Sequence, residues 1–444
     1  MNVGLDFGTS NSSIARVRDG KIELFELDPG AVNPRMLRSF IFINRAHEVS
    51  TGSQAVADYQ RLETGRPVFW ENKSLGQVQM VVAGGGGPII YWDDLMVRMD
   101  TNAQGRLIQS IKTGLRTPNY EGTDVFGTFY EVERLIAILM TELRARCEAA
   151  TGEPARGVVL GRPVKFSDDP AIDARAQAKI EAAARLAGFE DISFELEPIA
   201  AAYVYHTQAP RREAALVFDF GGGTLDLTVM ELGGPQPPVV LATQGVLLGG
   251  DDLDRALMQP LKPRFGEGAT LRNRQPIPAH IFGMLDGWQT MVLLSRPEYR
   301  AVIREALRGS DPEAVQRLDD LVNKNLGFAL FQKIEKAKIQ LSSQATALVE
   351  LGREGFRFSE LVTRPQFERL IQPFIRQAAE GIESVLAQSG LRADQIQAVL
   401  RTGGSAEIPA FIRLLAEHFG HDKLRPLNPF ETIVGGLAIR AAPL

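Results

Sequence analysis

The sequence predicts an α/β protein built from two related halves, and three observations carry that reading. Apolar strand-like runs alternate with helical spacings in both halves of the chain. A strand–turn–strand design with an aspartate at its bend occurs twice. The 444 residues, 44% hydrophobic and 23% charged, can bury a large core and suffice for about two to four domains.

The first copy opens the chain: residues 1–7 form a short apolar strand interrupted by Asp6, Gly8-Thr9-Ser10-Asn11 make a turn, and Ser12 to Arg18 alternate as a second strand. The second copy runs from Leu216-Val217-Phe218 through Asp219 to the turn Gly221-Gly222-Gly223-Thr224, then along Leu225 to Glu231. The aspartates lie 213 residues apart, far beyond the roughly 20–50-residue period of a solenoid, so the repeat indicates two related domains.

Between the copies, Val132, Leu135, Ile136, Leu139, Met140 and Leu143 fall at helical spacing and predict a helix over 130–148. A buried strand, Gly157 to Leu160, follows it. Asp169 before Pro170 is a start signal and Gly188 a stop, which brackets a helix at 170–187. Near the end, Ala398 to Arg401 reads as a strand, Gly403-Gly404-Ser405 as a turn and Pro409 to Phe419 as a helix. Two stretches break the pattern. Residues 75–110, with Gly84 to Gly87, show little periodicity and are expected as an exposed loop in an inserted subdomain. Residues 259–325 mix Pro260, Pro263, Pro276, Pro278 and Pro297 with amphipathic pieces and are expected in a second insertion.

A net charge of −5 excludes general attraction to nucleic acid or anionic lipid, so an anionic ligand must be caught locally. The single Cys147 forbids an internal disulfide and a multi-thiolate zinc site, and His418 with His421 read as a helix end. The start has no basic region before an apolar stretch, and no run reaches the roughly 18 apolar residues of a membrane span. A cytoplasmic protein with no membrane partner is expected.

A glycine-rich turn after a strand exposes backbone N–H groups that bind phosphate oxygens, and Thr9, Ser10 and Thr224 add hydroxyl donors. One such turn is commonplace; two, each preceded by an aspartate in an apolar strand, are not. Those carboxylates are costly to bury unless paired, hydrogen-bonded or near a metal. Asp6 and Asp219 facing each other across a cleft are natural partners for Mg²⁺ bridging to substrate phosphates.

Gly4-Leu5-Asp6-Phe7-Gly8-Thr9-Ser10-Asn11-Ser12 resembles the first phosphate loop of the Hsp70 ATPase domain, within the actin, hexokinase and Hsp70 superfamily. Val217-Phe218-Asp219-Phe220-Gly221-Gly222-Gly223-Thr224-Leu225-Asp226 resembles the second. Glu197-Pro198-Ile199-Ala200-Ala201-Ala202, Gly249-Gly250-Asp251-Asp252-Leu253-Asp254, Glu335 to Ser343 and Gly403-Gly404-Ser405-Ala406-Glu407-Ile408-Pro409 are similar to further motifs, in the family's order along the whole chain.

The resemblance implies a two-lobed actin-like ATPase fold, each lobe a ribonuclease-H-like core plus an inserted subdomain: 1–208 with an insertion at about 39–127, 209–428 with one at about 249–366, and 429–444 returning to the first lobe. It implies ATP or ADP with Mg²⁺, the metal held through water by Asp6 and Asp219. Gly8, Thr9, Ser10 and Asn11 with Gly221, Gly222, Gly223 and Thr224 would cradle phosphates; Glu197 would orient water, with Asp226 supporting it. Lys112 is the implied lysine on the transferred phosphate, with Lys73 its rival, and Pro163 the implied relay of nucleotide state. Gly249, Gly250, Asp251, Glu335, Lys338, Ser342, Gly403, Gly404 and Ser405 would line the nucleoside side, Glu335, Lys338 and Ser342 sharing one helix face.

Two departures stand out. The arginines that sandwich adenine in typical members are replaced by Ile339 and Glu407, and a cation on an aromatic face contributes roughly 0.5–2 kcal/mol. The chain also reaches Leu444 soon after Gly435-Gly436-Leu437, which resembles the closing motif of the ATPase domain, so no substrate-binding domain is expected. The resemblance implies a slow ATPase coupled to unfolded clients or co-chaperones. An actin-like filament-forming ATPase and a small-molecule kinase using Asp226 as base remain open alternatives.

Overall fold

The computed structural model describes residues 1–84, 87–118, 120–428 and 431–442, with side chains for all of these except 73–97. Strands Asn2–Phe7 and Asn11–Arg18 form the first hairpin, placing Asp6 opposite Ser13 near its turn. Gly157–Arg162 pairs in parallel with Asn2–Phe7, and Asp191–Leu196 extends the parallel side. Lys21–Leu24 and the short Leu37–Arg38 both pair with Asn11–Arg18.

The second sheet repeats this arrangement. Glu213–Phe220 is antiparallel to Leu225–Leu232 and parallel to Ala398–Thr402, with Val239–Val246 and Leu424–Pro426 outside them. The duplicated hairpin in the sequence is thus the centre of a duplicated sheet.

Parallel neighbours need a crossover, which the helix Pro170–Leu186 supplies between Gly157–Arg162 and Asp191–Leu196. Asp169 caps it by accepting the Ala171 N–H at 2.8 Å, and Gly188 takes the left-handed φ of 89° that a stop requires. The first five residues of Gly157–Arg162 are buried, which is why they read as an unbroken small and apolar run rather than an alternation. In the second half, Phe218, Phe220 and Phe411 are fully buried, with Phe411 edge-on to Phe220 at 4.8 Å between ring centroids.

The helix Thr432–Ala441 lies across the first sheet. Its approach is so close that a Cβ on Gly4 would overlap the Ala438 nitrogen, and one on Gly436 would overlap the Ala200 carbonyl. Leu437 packs with Val159 and Ala200, so the end of the chain is fastened beside the helix Glu197–Gln208.

The expected loop at 75–110 is mostly strand. Trp70–Gly84 and Gly87–Asp100 form a two-stranded antiparallel ribbon, and Gly105–Ile108 joins a three-stranded sheet with Ile41–Asn44 and Val49–Thr51. A ribbon of two strands packed in no larger sheet imposes no single buried face, so the alternation that marks a half-buried strand is missing. The register slips between Ser74 and Gln77. Gly85 and Gly86 lie outside the described residues, as does the side chain of Lys73.

The rims above the two sheets touch. Phe328, from the helix Gly327–Ser343, packs edge-on to Phe40 and Tyr59, at 6.0 and 5.0 Å between ring centroids, with Trp288 alongside. Asn325 donates to the Glu63 carbonyl at 3.0 Å. These contacts roof a cleft whose floor is made by the two glycine turns.

Candidate nucleotide and phosphoryl-transfer site

The first turn is closed by its surroundings. Ser39 Oγ donates to the Gly8 carbonyl at 2.9 Å and the Ser39 N–H to the Ser10 carbonyl at 2.9 Å. A Cβ on Gly8 would overlap the Asn11 carbonyl. The second turn is closed by Gly221 N–H to the Thr224 carbonyl at 3.0 Å. The two turns face each other: a Cβ on Gly222 would overlap Ser10 Oγ, and one on Gly223 would stand 3.4 Å from Thr9 Oγ1.

Gly249, Gly250 and Asp251 support the second turn from the start of the helix Gly250–Met258. The Gly250 and Asp251 N–H groups donate to the Gly221 and Gly222 carbonyls, each at 3.0 Å, so these amides are already engaged. Ser405 Oγ points to the Gly221 carbonyl at 3.4 Å. Gly403 has a φ of 83° and a Cβ there would overlap the Phe220 carbonyl, so only glycine fits, whereas the Cβ position of Gly404 is open.

Lys112 reaches the cleft from the short helix Ile111–Gly114, entered through Ser110 in a left-handed conformation. Its Nζ donates to Glu197 Oε1 at 2.7 Å, and the residues are only 7% and 8% exposed. Glu197 sits in the first turn of Glu197–Gln208, immediately before Pro198. Thr224 Oγ1 donates to Asp226 Oδ2 at 2.9 Å.

These groups titrate together. Burial, then the Glu197 charge, pushes the Asp6 carboxyl up to about 7, with Lys112 opposing. Burial and the charges of Asp226, Glu197 and Asp6 push Asp219 well above the usual carboxylate range. Asp226 is raised to about 6 by burial and Glu197, against Thr224, Arg116 and Lys112. Burial alone would lower the Lys112 ammonium, but Glu197 and Asp6 outweigh it and raise its pKa.

Among the described residues no group of three or more acidic, histidine or cysteine side chains is placed to hold a metal directly. Two carboxylates that destabilise each other beside exposed turn amides do suit a hydrated divalent cation, since hard oxygen donors and a shell of retained waters are what Mg²⁺ takes.

On the nucleoside side, Glu335, Lys338 and Ser342 lie on one face of Gly327–Ser343, but their polar ends are occupied. Glu335 pairs with Arg38 at 3.3 Å. Lys338 donates to Asp254 Oδ2 at 2.8 Å and to the Gly250 carbonyl at 3.0 Å, and Ser342 Oγ makes a 3.5 Å contact to the Lys338 carbonyl. Burial pushes Asp254 up to about 7 despite Lys338. Ile339 is 62% exposed, and Glu407 pairs with the buried Arg401 at 3.2 Å. A cavity of about 270 Å³ opens between Thr9, Ser10, Arg38, Asp251, Trp288 and Glu335.

Sequence reasoning missed Arg38, Asp254, Arg401 and Arg116. Asp254 was within reach, four residues after Gly250 on an amphipathic helix; Arg116 lies four after Lys112. The partners Arg38 and Glu335 stand 297 residues apart, and no local pattern announces them.

A duplicated sheet with facing glycine turns, an aspartate beside each and a lysine–glutamate pair between them defines a two-lobed actin-like ATPase fold. A family model described as Hsp70 protein matches residues 106–276 and 312–444. The chain belongs to the Hsp70 family. It is 26% identical over its whole length to the chaperone protein DnaK of two strains of Thermus thermophilus, and 25% identical to that of Elusimicrobium minutum. The chain spans 60% of the length of the two Thermus relatives and 57% of the third. No helix among the described residues is long and apolar enough to cross a membrane.

Proposed function

We propose that the chain binds Mg·ATP in the cleft between its two sheets and slowly hydrolyses it. The observation that carries this reading is the buried Lys112–Glu197 pair, set among Asp6, Asp219 and Asp226 where the two glycine turns meet. Phosphoryl transfer needs little covalent chemistry from a protein; positioning and charge neutralisation do most of the work. Asp6 and Asp219 would hold Mg²⁺ through its waters, and the ion would neutralise phosphate charge when bound. Gly8 to Asn11 and Gly221 to Thr224 would hold the β- and γ-phosphates by backbone N–H groups and hydroxyls. Lys112 supplies a fixed positive charge at the transferred phosphate. Glu197 holds that lysine and accepts from water, and Asp226, anchored by Thr224, completes the water's orientation.

Nucleotide-driven movement of the rims joined at Phe40, Tyr59 and Phe328 would present a different surface to a client or co-chaperone, a chaperone-like coupling by hinge closure. On the nucleoside side Gly249, Gly404, Ser405 and the Glu335, Lys338 and Ser342 face would receive ribose and base. With Ile339 and Glu407 in place of two cations, discrimination between bases is weak. A thermal-shift panel tests the reading, because a ligand that binds only the folded state raises stability by RT ln(1 + [L]/Kd). ATP and ADP with Mg²⁺ should raise the melting temperature, and GTP should follow closely. No shift with any nucleotide would overturn the proposal.

A further inference from the structure

Arg38 is fixed at the cavity above the glycine turns by both its backbone and its side chain. The strand Leu37–Arg38 sets Arg38 opposite Asn11, at the end of the first turn, and the next residue, Ser39, closes that turn through Gly8 and Ser10. The guanidinium lies over the Phe40 ring, 4.7 Å from its centroid, and its Nη2 donates to Glu335 Oε2 at 3.3 Å. Phe40 and Glu335 line the cavity together with Arg38, Thr9 and Ser10, so this charge stands in the cavity wall beside the first turn.

The ion pairs of this wall are not alike. Asp254 is held by Lys338 at 2.8 Å and Asp286 by Lys262 at 2.7 Å, with the lysine side chains 12% and 6% exposed. Arg38 and Glu335 are 27% and 42% exposed and meet at one 3.3 Å contact, which contributes little in water. Glu335 is the only hydrogen-bond partner of the guanidinium among the described residues, so most of its five N–H donors are free. Phe40 holds its plane, and a planar fork of donors matches two phosphate oxygens as an ammonium does not. Deeper in the cleft, Asp6, Asp219, Asp226 and Glu197 surround Lys112, which Glu197 already engages. A polyphosphate entering among these acids needs a further cation, and Arg38 offers one on the side of the first turn.

We propose that Arg38 binds the polyphosphate of the nucleotide, exchanging Glu335 for oxygens of the α- and β-phosphates. This rests on the nucleotide reading above. Arg38 lies between Asn11 of the phosphate turn and Glu335 of the nucleoside side, so the phosphates nearest the ribose are the ones it meets. The exchange releases the Glu335 carboxylate toward the ribose hydroxyls. One long, solvent-facing contact between the lobes is thereby replaced by charge-assisted bonds to a single ligand. Because ATP and ADP share these phosphates, Arg38 acts on binding of both.

The test is equilibrium binding of Mg·ADP, Mg·ATP and Mg·tripolyphosphate to the parent chain, Arg38→Ala, Arg38→Lys and Glu335→Gln, with a melting curve for each. Losing a charge-assisted phosphate contact should weaken ADP and ATP alike by about ten- to a hundred-fold in Arg38→Ala. Arg38→Lys should recover only part of that, since a point charge replaces the fork. Tripolyphosphate, which has no ribose, separates ligand binding from a mere tie between the lobes. Glu335→Gln removes the competitor for the guanidinium and should bind tripolyphosphate about two- to five-fold more tightly than the parent, whereas Arg38→Ala should bind it more weakly. A pair that only ties the lobes predicts the same direction for both substitutions. If Arg38→Ala does not fold, Arg38→Met, which keeps an apolar stem over Phe40, carries the same decision. ADP affinity within about three-fold of the parent in the arginine variant, or tripolyphosphate binding that Glu335→Gln leaves absent, unchanged or weaker, overturns the assignment. A parent chain that binds neither nucleotide defeats the nucleotide reading instead.

Discussion

Replacing Asp226 with asparagine should make the nucleotide-free protein more stable at alkaline pH while slowing hydrolysis. In the folded chain the Asp226 carboxyl stands at about 6 against an ordinary 3.8. A group whose folded pKa is raised binds protons more readily in the native state, so its contribution is full below pH 4 and is lost as pH rises to about 6. At 1.36 kcal/mol per unit, keeping it ionised at pH 8 costs up to about 3 kcal/mol. Asp226 is partly exposed, and screening by water trims that figure, while Asp226→Asn weakens the 2.9 Å bond from Thr224 by about 1 kcal/mol. The net expectation is a gain of about 1–2 kcal/mol at pH 8, shrinking to less than about 0.5 kcal/mol at pH 5 and turning into a small deficit below pH 4, where only the weakened Thr224 bond remains. Denaturant titrations of parent and variant at pH 5 and pH 8, without nucleotide, measure it. A variant less stable than the parent at pH 8, or a difference independent of pH, would refute the reasoning that burial and the Glu197 charge strain the ionised Asp226 carboxylate.

Other perturbations give equally definite outcomes. Lys338→Met leaves Asp254 buried without its 2.8 Å partner, so stability at pH 8 should drop by about 3 kcal/mol. The deficit should narrow at pH 5, because the Asp254 carboxyl, already pushed up to about 7, is then protonated; denaturant midpoints at the two pH values check this. Gly4→Ala drives a methyl into the Ala438 backbone, and the strain, about 1–3 kcal/mol or more, should loosen the Thr432–Ala441 helix from the first sheet. Hydrogen exchange would report it as faster exchange confined to that helix and the Glu197–Gln208 helix beside it.

What could be read from the chain depended on how far apart the cooperating residues stand. Both hairpins, their aspartates and the 170–187 and 409–419 helices were legible, because turn chemistry, capping and apolar spacing act within a few residues. The pairing of Lys112 with Glu197 across 85 residues was not, although each was singled out separately. Nor was the fastening of Lys338 by Asp254, a buried ion pair across 84 residues. The ribbon Trp70–Gly84 and Gly87–Asp100 escaped because two strands outside a larger sheet need not alternate.

Phosphate release from ATP, followed with Mg²⁺ and with a chelator in the parent chain and in Asp219→Asn, tests the proposed reaction most directly. Slow release that needs Mg²⁺ but no added acceptor, and that falls at least about ten-fold in a folded Asp219→Asn, is the predicted result. Release unchanged by that substitution, or ATP consumed only when a sugar or other alcohol is supplied, would contradict it.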